Sequence, residues 1–412
     1  MNITITPAPL TGAITPPPSK SQAHRLLIAA ALAEGTSRIS NVAFSQDITA
    51  TLECMKALGA QAEGNGSTVT LTGIGARRTP YSPCMCGAIH LDCGESGSTL
   101  RFLIPVALAV AGGAFFTGRG RLLARPQKPY ADLFAEKGVF FAHEAQAITA
   151  GGVLTPGVYE LPGDVSSQFV TGLLYALPLL DGDSDLVLTT PLESKGYVDM
   201  TLLALEAFGV HAAETERGYH IPGGQAYQCS DLSVESDYSQ AGFYYAARGL
   251  GNEIEILGLN ANSAQGDRCI VPYYERLCGT GDVELDVSQC PDLVPALAVH
   301  AALRPGETTR IVNAARLRIK ESDRLAAVTE ELNKLGARVE EHPDSLTIRG
   351  VGGLHGGTVD AHNNHRIAMM LAVAATRADG PVTITGAESV KKSYPNFWAD
   401  YEALGGRVVR SN

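Results

Sequence analysis

One short pattern recurs six times along the chain and limits the folds that the chain can adopt. It is a helix-like run that ends in a glycine, usually followed by a small or β-branched residue: MKALGA at 55–60, FAEKGV at 134–139, LEAFGV at 205–210, YERLCG at 274–279, LNKLGA at 332–337 and YEALGG at 401–406. Such a glycine is typical of the residue after a helix, where left-handed backbone ends the helix and a strand begins. The fourth copy matches the pattern least well.

The segments that follow several copies predict the rest of the repeating unit. Residues 61–73, 211–223 and 338–350 each contain a short strand, a polar turn and a second strand. The predicted unit is therefore helix, strand, hairpin and strand, at irregular spacings that exclude a solenoid. Six units in 412 residues predict an α/β protein with two domains of three units. The polar segment 223–237 indicates one crossing between them, and the chain up to Pro18 could return to the second half.

The composition excludes several classes of protein. A net charge of −11 argues against general nucleic-acid binding. The chain has no apolar run long enough to span a membrane and no evident secretory signal. Its eight cysteines form no CxxC and show no zinc spacing, so we expect reduced, mostly buried thiols in a cytoplasmic protein. In so acidic a chain, each local cluster of Lys and Arg needs its own explanation.

The stretch TPPPSKSQAHR at 15–25 places Lys20, Ser21 and Arg25 on the first turns of an apolar helix. Three prolines upstream fix an extended approach to this helix. Cations at the positive end of a helix are unfavourable unless an anion lies beside them. The stretch therefore indicates either an anion site or a solvated helix start, and this stretch alone does not decide between them.

Polar residues also begin other apolar helices of the chain. They are Gly97 and Arg101 in 91–112, Ser166, Ser167 and Gln168 in 163–180, Asp292 in 291–303, and His365 and Arg366 in 362–375. Each one alone is typical of an ordinary helix cap. Together they describe apolar helices whose polar ends would have to lie close together to form a common binding site.

The stretch 316–337 places Lys320 and Arg324 four residues apart, which predicts two like charges on one helical face. Neighbouring acidic side chains would neutralise them, or a bound phosphate would, which leaves Glu321 as a candidate proton carrier. Further cations lie in proline-containing loops, at Arg125 and at Lys391 and Lys392. This pattern indicates a small, multiply charged substrate. The HNNH at 362–365 has no acidic or cysteine partner nearby in sequence, which argues against a metal site.

Taken in order, the motifs SKSQAHRLLIAAALAEG, GDVSSQF, KESDRL and HRIAM resemble those of the enolpyruvyl transferase family, and within it the members that act on shikimate 3-phosphate. The resemblance covers nearly the whole chain. It implies two similar domains, each of three βαβαββ-type units, hinged around a central cleft. It assigns 1–18 and 235–412 to a discontinuous phosphoenolpyruvate-side domain, and 19–234 to the shikimate 3-phosphate side.

The resemblance also implies the reaction and the residues that serve it. A family member transfers the enolpyruvyl group of phosphoenolpyruvate to the 5-hydroxyl of shikimate 3-phosphate through a tetrahedral intermediate, without metal or organic cofactor, as a cytoplasmic monomer. The implied substrate contacts are Lys20, Ser21, Arg25, Gly97, Arg125, Ser166, Ser167, Gln168, Ser194, Tyr197, Asp292, Lys320, Arg324, Arg366 and Lys392. Asp292 and Glu321 are the implied proton-transfer groups, with their order open, and Lys20 is the third implied catalytic residue.

Three positions depart from the common family pattern: Glu95, Arg316 and Asn364. Glu95 would repel phosphoenolpyruvate if its carboxylate pointed inward. One alternative is the related enzyme that acts on UDP-N-acetylglucosamine, which has asparagine after the first lysine and a reactive cysteine before the arginine-proline. This chain has Ser21, and no cysteine in 113–125. The other alternative is an inactive anion-binding protein on the same scaffold.

Overall fold

A computed structural model describes residues 1–75 and 89–411 of the chain. The chain forms two compact units, which we call the discontinuous unit (Met1–Ser19 with Ser236–Asn412) and the continuous unit (Lys20–Glu235). The sequence-based bounds lie one residue away from these. The substrate assigned to each domain stays a prediction.

The first 19 residues contribute two strands to the discontinuous unit, β1 (Asn2–Thr6) and β2 (Thr11–Ile14). The continuous unit then contains α1 (Lys20–Leu32), β3 (Thr36–Ser40), α2 (Gln46–Ala57), β4 (Gln61–Asn65), β5 (Thr68–Thr72), β6 (His90–Asp92), α3 (Gly97–Ala111), β7 (Gly113–Thr117), α4 (Lys128–Glu136), β8 (Phe140–His143), β9 (Ile148–Gly151), β10 (Gly157–Leu161), α5 (Ser167–Ala176), β11 (Ser184–Leu188), α6 (Lys195–Ala207), β12 (Ala213–Thr215), β13 (Gly218–Ile221) and β14 (Leu232–Ser233).

The discontinuous unit resumes with α7 (Tyr238–Gly249), β15 (Glu253–Ile256), α8 (Ile270–Cys278), β16 (Val283–Asp286), α9 (Val294–Ala302), β17 (Thr308–Val312), α10 (Arg324–Lys334), β18 (Arg338–Glu341), β19 (Leu346–Arg349), β20 (Gly357–Asp360), α11 (His365–Ala375), β21 (Val382–Thr385), α12 (Phe397–Ala403) and β22 (Arg407–Ser411). Short 3-10 turns precede four of its helices: Gly266–Cys269 before α8, Pro291–Leu293 before α9, Ala315–Ile319 before α10 and Ala387–Lys392 before α12.

Five small sheets share one arrangement, a parallel pair of strands beside an antiparallel pair. Their strand orders are β14-β3-β5-β4, β6-β7-β9-β8 and β10-β11-β13-β12 in the continuous unit, and β16-β17-β19-β18 and β20-β21-β1-β22 in the discontinuous unit. The repeats β6–β9, β10–β13 and β16–β19 run βαβαββ along the chain, which confirms the predicted type, whereas the other two sheets each take one strand, β14 or β1, from a distant segment. The sixth sheet contains only the parallel pair β15-β2.

The six repeat glycines explain why one sheet is incomplete. Gly59, Gly138, Gly209, Gly336 and Gly405 have φ between +66° and +109°, as predicted for left-handed residues after a helix. The same prediction is wrong for the fourth glycine, Gly279, which has φ −74° and ψ 175°. From this extended residue the chain runs within four residues into β16, which belongs to the next sheet, so the fourth repeat has no room for a hairpin.

Each unit has its own apolar core. The core of the continuous unit consists of residues from 23 to 234. The core of the discontinuous unit combines Ile3, Ile5 and Leu10 with residues from 238 to 404. All residues of α9 and α11 are buried, as is the body of α1 from Ala23 onward. The polar side chains of α1 and α11 lie at the beginning of each helix, whereas α9 carries His300 in its last turn.

Two expectations from composition can be compared with the described residues. No helix among them combines the length and the apolar character needed to cross a membrane. Six cysteines are free thiols, of which Cys54, Cys93 and Cys290 are buried, Cys269 is half-buried, and Cys229 and Cys278 are exposed. The expectation of mostly buried thiols therefore holds for only half of these six. Cys84 and Cys86 lie outside the described residues.

Candidate active site

The first helix of the continuous unit begins at Lys20, as its sequence predicted. The Lys20 ammonium lies 2.7 Å from the Asp47 carboxylate at the start of α2, with 15% and 12% of the two side chains exposed. Ser21 lies beside it on the first turn of α1 and is half-buried. A cation therefore does stand at the positive end of this buried helix, and a carboxylate from the next helix partly compensates its charge.

Arg25 is the most enclosed cation of this region, with 2% of its surface exposed. Its guanidinium donates to the carbonyl oxygens of Ser21 (2.7 Å) and Tyr197 (2.7 Å) and to the Thr201 hydroxyl (2.9 Å). Burial lowers the pKa of Arg25 to about 10, so the group stays charged at neutral pH. Because these acceptors are neutral oxygens, an anionic ligand nearby would stabilise the buried charge.

Arg25 also joins two predicted substrate-binding segments. Ser194 precedes α6 with φ +57°, and Tyr197 follows in the first turn of that helix. The Arg25 guanidinium lies 5.9 Å from the centre of the Tyr197 ring. The starts of α1 and α6, far apart in sequence, are thus held together by one side chain.

At Gly97 a loop arginine lies against the backbone of the continuous unit. A Cβ atom on Gly97 would overlap the Arg125 guanidinium, so any other residue here would displace the end of that side chain. Arg125 itself is 5% exposed. The structure therefore brings together two residues that the sequence had singled out separately, and glycine lets the guanidinium lie directly against the backbone.

The carboxylate of Glu95 lies against the loop that leads to Arg125. A Cβ atom on Gly120 would lie 2.6 Å from Oε2 of Glu95. Gly120 has φ +58°, a left-handed conformation that glycine adopts without strain. The unusual acidic residue is thus accommodated by a glycine on the neighbouring loop.

The start of α5 carries Ser166, Ser167 and Gln168, as predicted. The Ser166 hydroxyl caps the helix by accepting the Gln168 amide (3.3 Å), and both serines are buried. The Gln168 side chain accepts from the Arg101 guanidinium (2.9 Å) and donates to the Ser98 hydroxyl (3.0 Å). Arg101, 2% exposed, orients Gln168. In the sequence, Arg101 lies at a predicted helix start, but nothing there indicates this role.

Asp292 is the centre of an ionic array in the discontinuous unit. Its Oδ1 lies 2.6 Å from the Arg324 guanidinium, and its Oδ2 lies 2.6 Å from the Arg366 guanidinium. Arg324, 2% exposed, also lies 2.6 Å from the Glu321 carboxylate. Four residues predicted from three separate motifs thus form one chain of charges.

The array determines the protonation state of Asp292. Burial alone would raise the pKa of this carboxyl, but the charges of Arg366, Arg324 and Lys320 outweigh it and hold the pKa well below the ordinary value of 3.8. Asp292 is therefore ionised at neutral pH and can accept a proton but not donate one. The charge of Lys320 also acts on Asp292, which agrees with its selection from the sequence.

One prediction about this region is wrong. Lys320 and Arg324 do not share a helical face, because α10 begins at Arg324 and Lys320 has the extended angles φ −86° and ψ −160°. The physical reason is Asp323, whose side chain caps α10 by accepting the Ala326 amide at 3.1 Å.

Arg316, one of the three positions that depart from the common family pattern, donates to the Ser288 carbonyl at 2.5 Å.

Asn364 also departs from the common family pattern, and it is the N-cap of α11, two residues before Arg366. Its side-chain oxygen accepts the Arg366 amide (2.9 Å), and its amide group donates to the Ser322 hydroxyl (3.0 Å) beside Glu321. Lys392, 4% exposed, donates to the Asn363 carbonyl at 2.7 Å. The loop before α11 therefore places both Arg366 and Lys392, which the sequence alone did not indicate.

Comparisons with known proteins agree with this arrangement. A family model described as EPSP synthase (3-phosphoshikimate 1-carboxyvinyltransferase) matches residues 5–401. A 3-phosphoshikimate 1-carboxyvinyltransferase of Clostridium kluyveri is 46% identical over 424 aligned positions, covering 98% of each chain. One from Clostridioides difficile is 43% identical over 433 positions, covering 100% of this chain and 99% of the relative.

The solved structure of EPSP synthase from Acinetobacter baumannii resembles the whole chain, with a TM-score of 0.82 and 25% sequence identity, and covers 99% of this chain and 100% of its own. Fold, motifs and relatives therefore agree. The chain belongs to the EPSP synthase family and catalyses enolpyruvyl transfer in the shikimate pathway, which leads to the aromatic amino acids.

Proposed function

We propose that the chain joins phosphoenolpyruvate to the 5-hydroxyl of shikimate 3-phosphate and releases phosphate through a tetrahedral intermediate. The observation that carries this proposal is the Asp292 array, in which an ionised carboxylate lies between two arginines. Of the two candidate groups Asp292 is the one shown to be ionised, so it is proposed to accept the proton of the attacking hydroxyl, although its lowered pKa makes it a weak base while both arginines hold it. Glu321 then serves the pyruvyl methylene. The relatives' printed name supports the acceptor.

In the discontinuous unit, Arg324, Arg366 and Lys392 are proposed to bind the phosphate and carboxylate of phosphoenolpyruvate, and Lys320 a shikimate hydroxyl. Arginine suits bidentate contacts with these planar or tetrahedral anions. Because these cations are already buried and held by Asp292, Glu321 and the Asn363 carbonyl, they need little reorganisation when charge develops during the reaction.

In the continuous unit, Ser21, Arg25, Ser166, Ser167, Gln168, Ser194 and Tyr197 are proposed to bind shikimate 3-phosphate. Lys20, Gly97 and Arg125 are proposed to contact phosphoenolpyruvate. The buried charge of Arg25 and the hydroxyls at the α5 and α6 starts support an anionic ligand here. We further propose that the chain acts as a cytoplasmic monomer, which sedimentation of the purified protein would test.

The direct test is phosphate release by purified protein. Phosphoenolpyruvate and shikimate 3-phosphate together should release phosphate, whereas either one alone, or phosphoenolpyruvate with UDP-N-acetylglucosamine, should not. Release with the UDP sugar would contradict the proposed acceptor. Folded protein that releases no phosphate with either acceptor would point to an inactive scaffold and to the loop of Glu95.

Two variants test the proposed proton and phosphate contacts. Lys20→Ala should lower kcat/KM by about 100-fold or more, since a charge at the reacting group is lost; unchanged turnover would remove Lys20 from the site.

Glu321→Gln should impair kcat much more than the affinity for shikimate 3-phosphate. Equal loss of both would mean that Glu321 only supports Arg324.

A further inference from the structure

Glu331 is a carboxylate that the reaction does not use and that solvent does not reach. It lies two turns along α10 from Arg324, and its side chain is 0% exposed. Its Oε2 accepts the backbone amide of Asp360 at 2.9 Å, and its Oε1 lies 2.7 Å from Nε2 of His362. Both partners belong to the loop that joins β20 to α11. Burying a carboxylate is costly unless it makes such contacts, so its place here requires an explanation.

The loop that Glu331 holds is strained. His362 and Asn363 both have φ +50°, and two consecutive non-glycine residues in the left-handed region are unfavourable. The Glu331 carboxylate offsets this strain through two hydrogen bonds. One is to the backbone amide of Asp360, which precedes the strained pair, and the other is to the side chain of His362. The Lys334 ammonium, 2.8 Å from Oε1, balances its charge.

The same loop places two cations of the active site. The Asn363 carbonyl accepts the Lys392 ammonium at 2.7 Å, and Asn364 caps the helix whose second residue is Arg366. A shift of the loop would therefore move Lys392 and Arg366 together. Displacements of about 1 Å in such groups can cost 100-fold in rate.

We propose that Glu331 is a positioning residue, which holds the strained loop 360–364 so that Lys392 and Arg366 are placed to bind the enolpyruvyl donor. This inference rests on the proposed function, because it takes these two cations as ligands of phosphoenolpyruvate. The sequence alone did not indicate this role, since Glu331 resembles an ordinary helix residue and lies 31 positions from His362.

The test is Glu331→Gln. Whichever way the new amide turns, its NH2 group faces a donor, either the Asp360 amide or the Lys334 ammonium. We expect the KM for phosphoenolpyruvate to rise about tenfold and the KM for shikimate 3-phosphate to change less than about twofold. Amide hydrogen exchange in 357–366 should accelerate.

Glu330→Gln is the matched control. Glu330 is the adjacent residue, loses the same charge, and also lies 2.8 Å from Lys334, but it is 53% exposed and lies 3.9 Å from His362. We expect this variant to keep both KM values and the exchange of the loop. Equal effects of the two variants would overturn the proposal, as would unchanged exchange in 357–366 for Glu331→Gln.

Asn363→Gly provides a rescue that a general loss of stability would not show. Glycine adopts the left-handed conformation without strain and keeps the carbonyl that Lys392 uses. Added to Glu331→Gln, Asn363→Gly should recover several-fold of the lost affinity for phosphoenolpyruvate; no recovery would contradict the strain argument.

Arg366→Ala separates the proposed role of Glu331 from the proposed function. If it leaves the KM for phosphoenolpyruvate unchanged, the assigned ligand is wrong, whereas loop exchange still tests Glu331.

Discussion

At the scale of single residues, charge balance explains the active-site groups of each unit. In the discontinuous unit Arg324 and Arg366 hold Asp292 in its ionised form, and Arg324 also pairs with Glu321. The charge of Lys320 adds to those of the two arginines at Asp292, and this positive charge favours an anionic ligand. In the continuous unit, Arg25 donates to neutral oxygens instead. Both arrangements favour multiply charged substrates by the same principle, which is that a buried charge needs an opposite one.

Asp292→Asn should destabilise the protein in a pH-dependent way. The native carboxyl has a lowered pKa, so its stabilising effect is complete above about pH 4 and is lost as the pH falls further. We expect the variant to lose about 3 kcal/mol of unfolding free energy at pH 7, and less at pH 3. Denaturant unfolding at both pH values measures this.

The control for that experiment is Asp132→Asn, which removes a carboxylate from an exposed pair with Lys128. Exposed pairs contribute about 0–1 kcal/mol, so this variant should behave like the wild type. A deficit in Asp292→Asn that is the same at pH 7 and pH 3 would contradict the lowered pKa.

Gly97→Ala should change binding more than folding. The new Cβ would lie 2.4 Å from the end of the Arg125 side chain, which can move away at little cost, so we expect a stability change within about 1 kcal/mol. The displaced guanidinium should raise the KM for phosphoenolpyruvate about tenfold. Steady-state kinetics and thermal unfolding measure the two effects, and a normal KM would mean that Arg125 does not bind this substrate.

At the scale of elements, the end of each repeat helix decides whether a hairpin follows. Left-handed glycines turn the chain back into a strand and hairpin in four repeats and into the single strand β22 in the last, whereas extended Gly279 carries it directly into the next sheet. The beginnings of helices are equally local, since Asp323 fixes where α10 starts and thereby removes Lys320 from the helix.

Alanine at two of these glycines should have opposite consequences. Gly138 has φ +66° and open space around its Cβ position, so Gly138→Ala should lose about 1–2 kcal/mol from backbone strain alone. Gly279→Ala meets only a 3.3 Å contact with the Arg276 carbonyl and should be neutral or stabilising by up to about 1 kcal/mol. Denaturant unfolding compares them, and equal losses would contradict the assigned backbone conformations.

At the scale of the whole molecule, the continuous unit contains everything that its core needs. Its core residues all lie between Ala23 and Val234. The edge strand β14 closes its first sheet from the far end of the unit, where the Asn41 side chain donates to the Val234 carbonyl and the Gln22 side chain accepts the Glu235 amide. This unit therefore meets the conditions for folding alone.

A fragment of residues 20–235 should fold cooperatively, as measured by near-ultraviolet circular dichroism and a single thermal transition. It should not release phosphate, because it lacks Asp292 and Glu321. A fragment of 20–228, which lacks β14, should be less stable by about 2 kcal/mol or more from lost pairing and burial. A 20–235 fragment without fixed tertiary structure would show that the unit depends on the rest of the chain.

The sequence by itself determined the repeat, five of its six glycine turns, the point of crossing between units, the polar helix starts and the family. These features depend on local sterics and on periodic burial, which neighbouring residues specify. Only the tertiary structure decided which distant segments meet: β1 inserted between β21 and β22, Arg101 on Gln168, Arg125 over Gly97, and Glu331 under the loop before α11. These contacts join residues from 28 to 409 positions apart in the sequence, and packing of whole elements, which no local pattern records, brings them together.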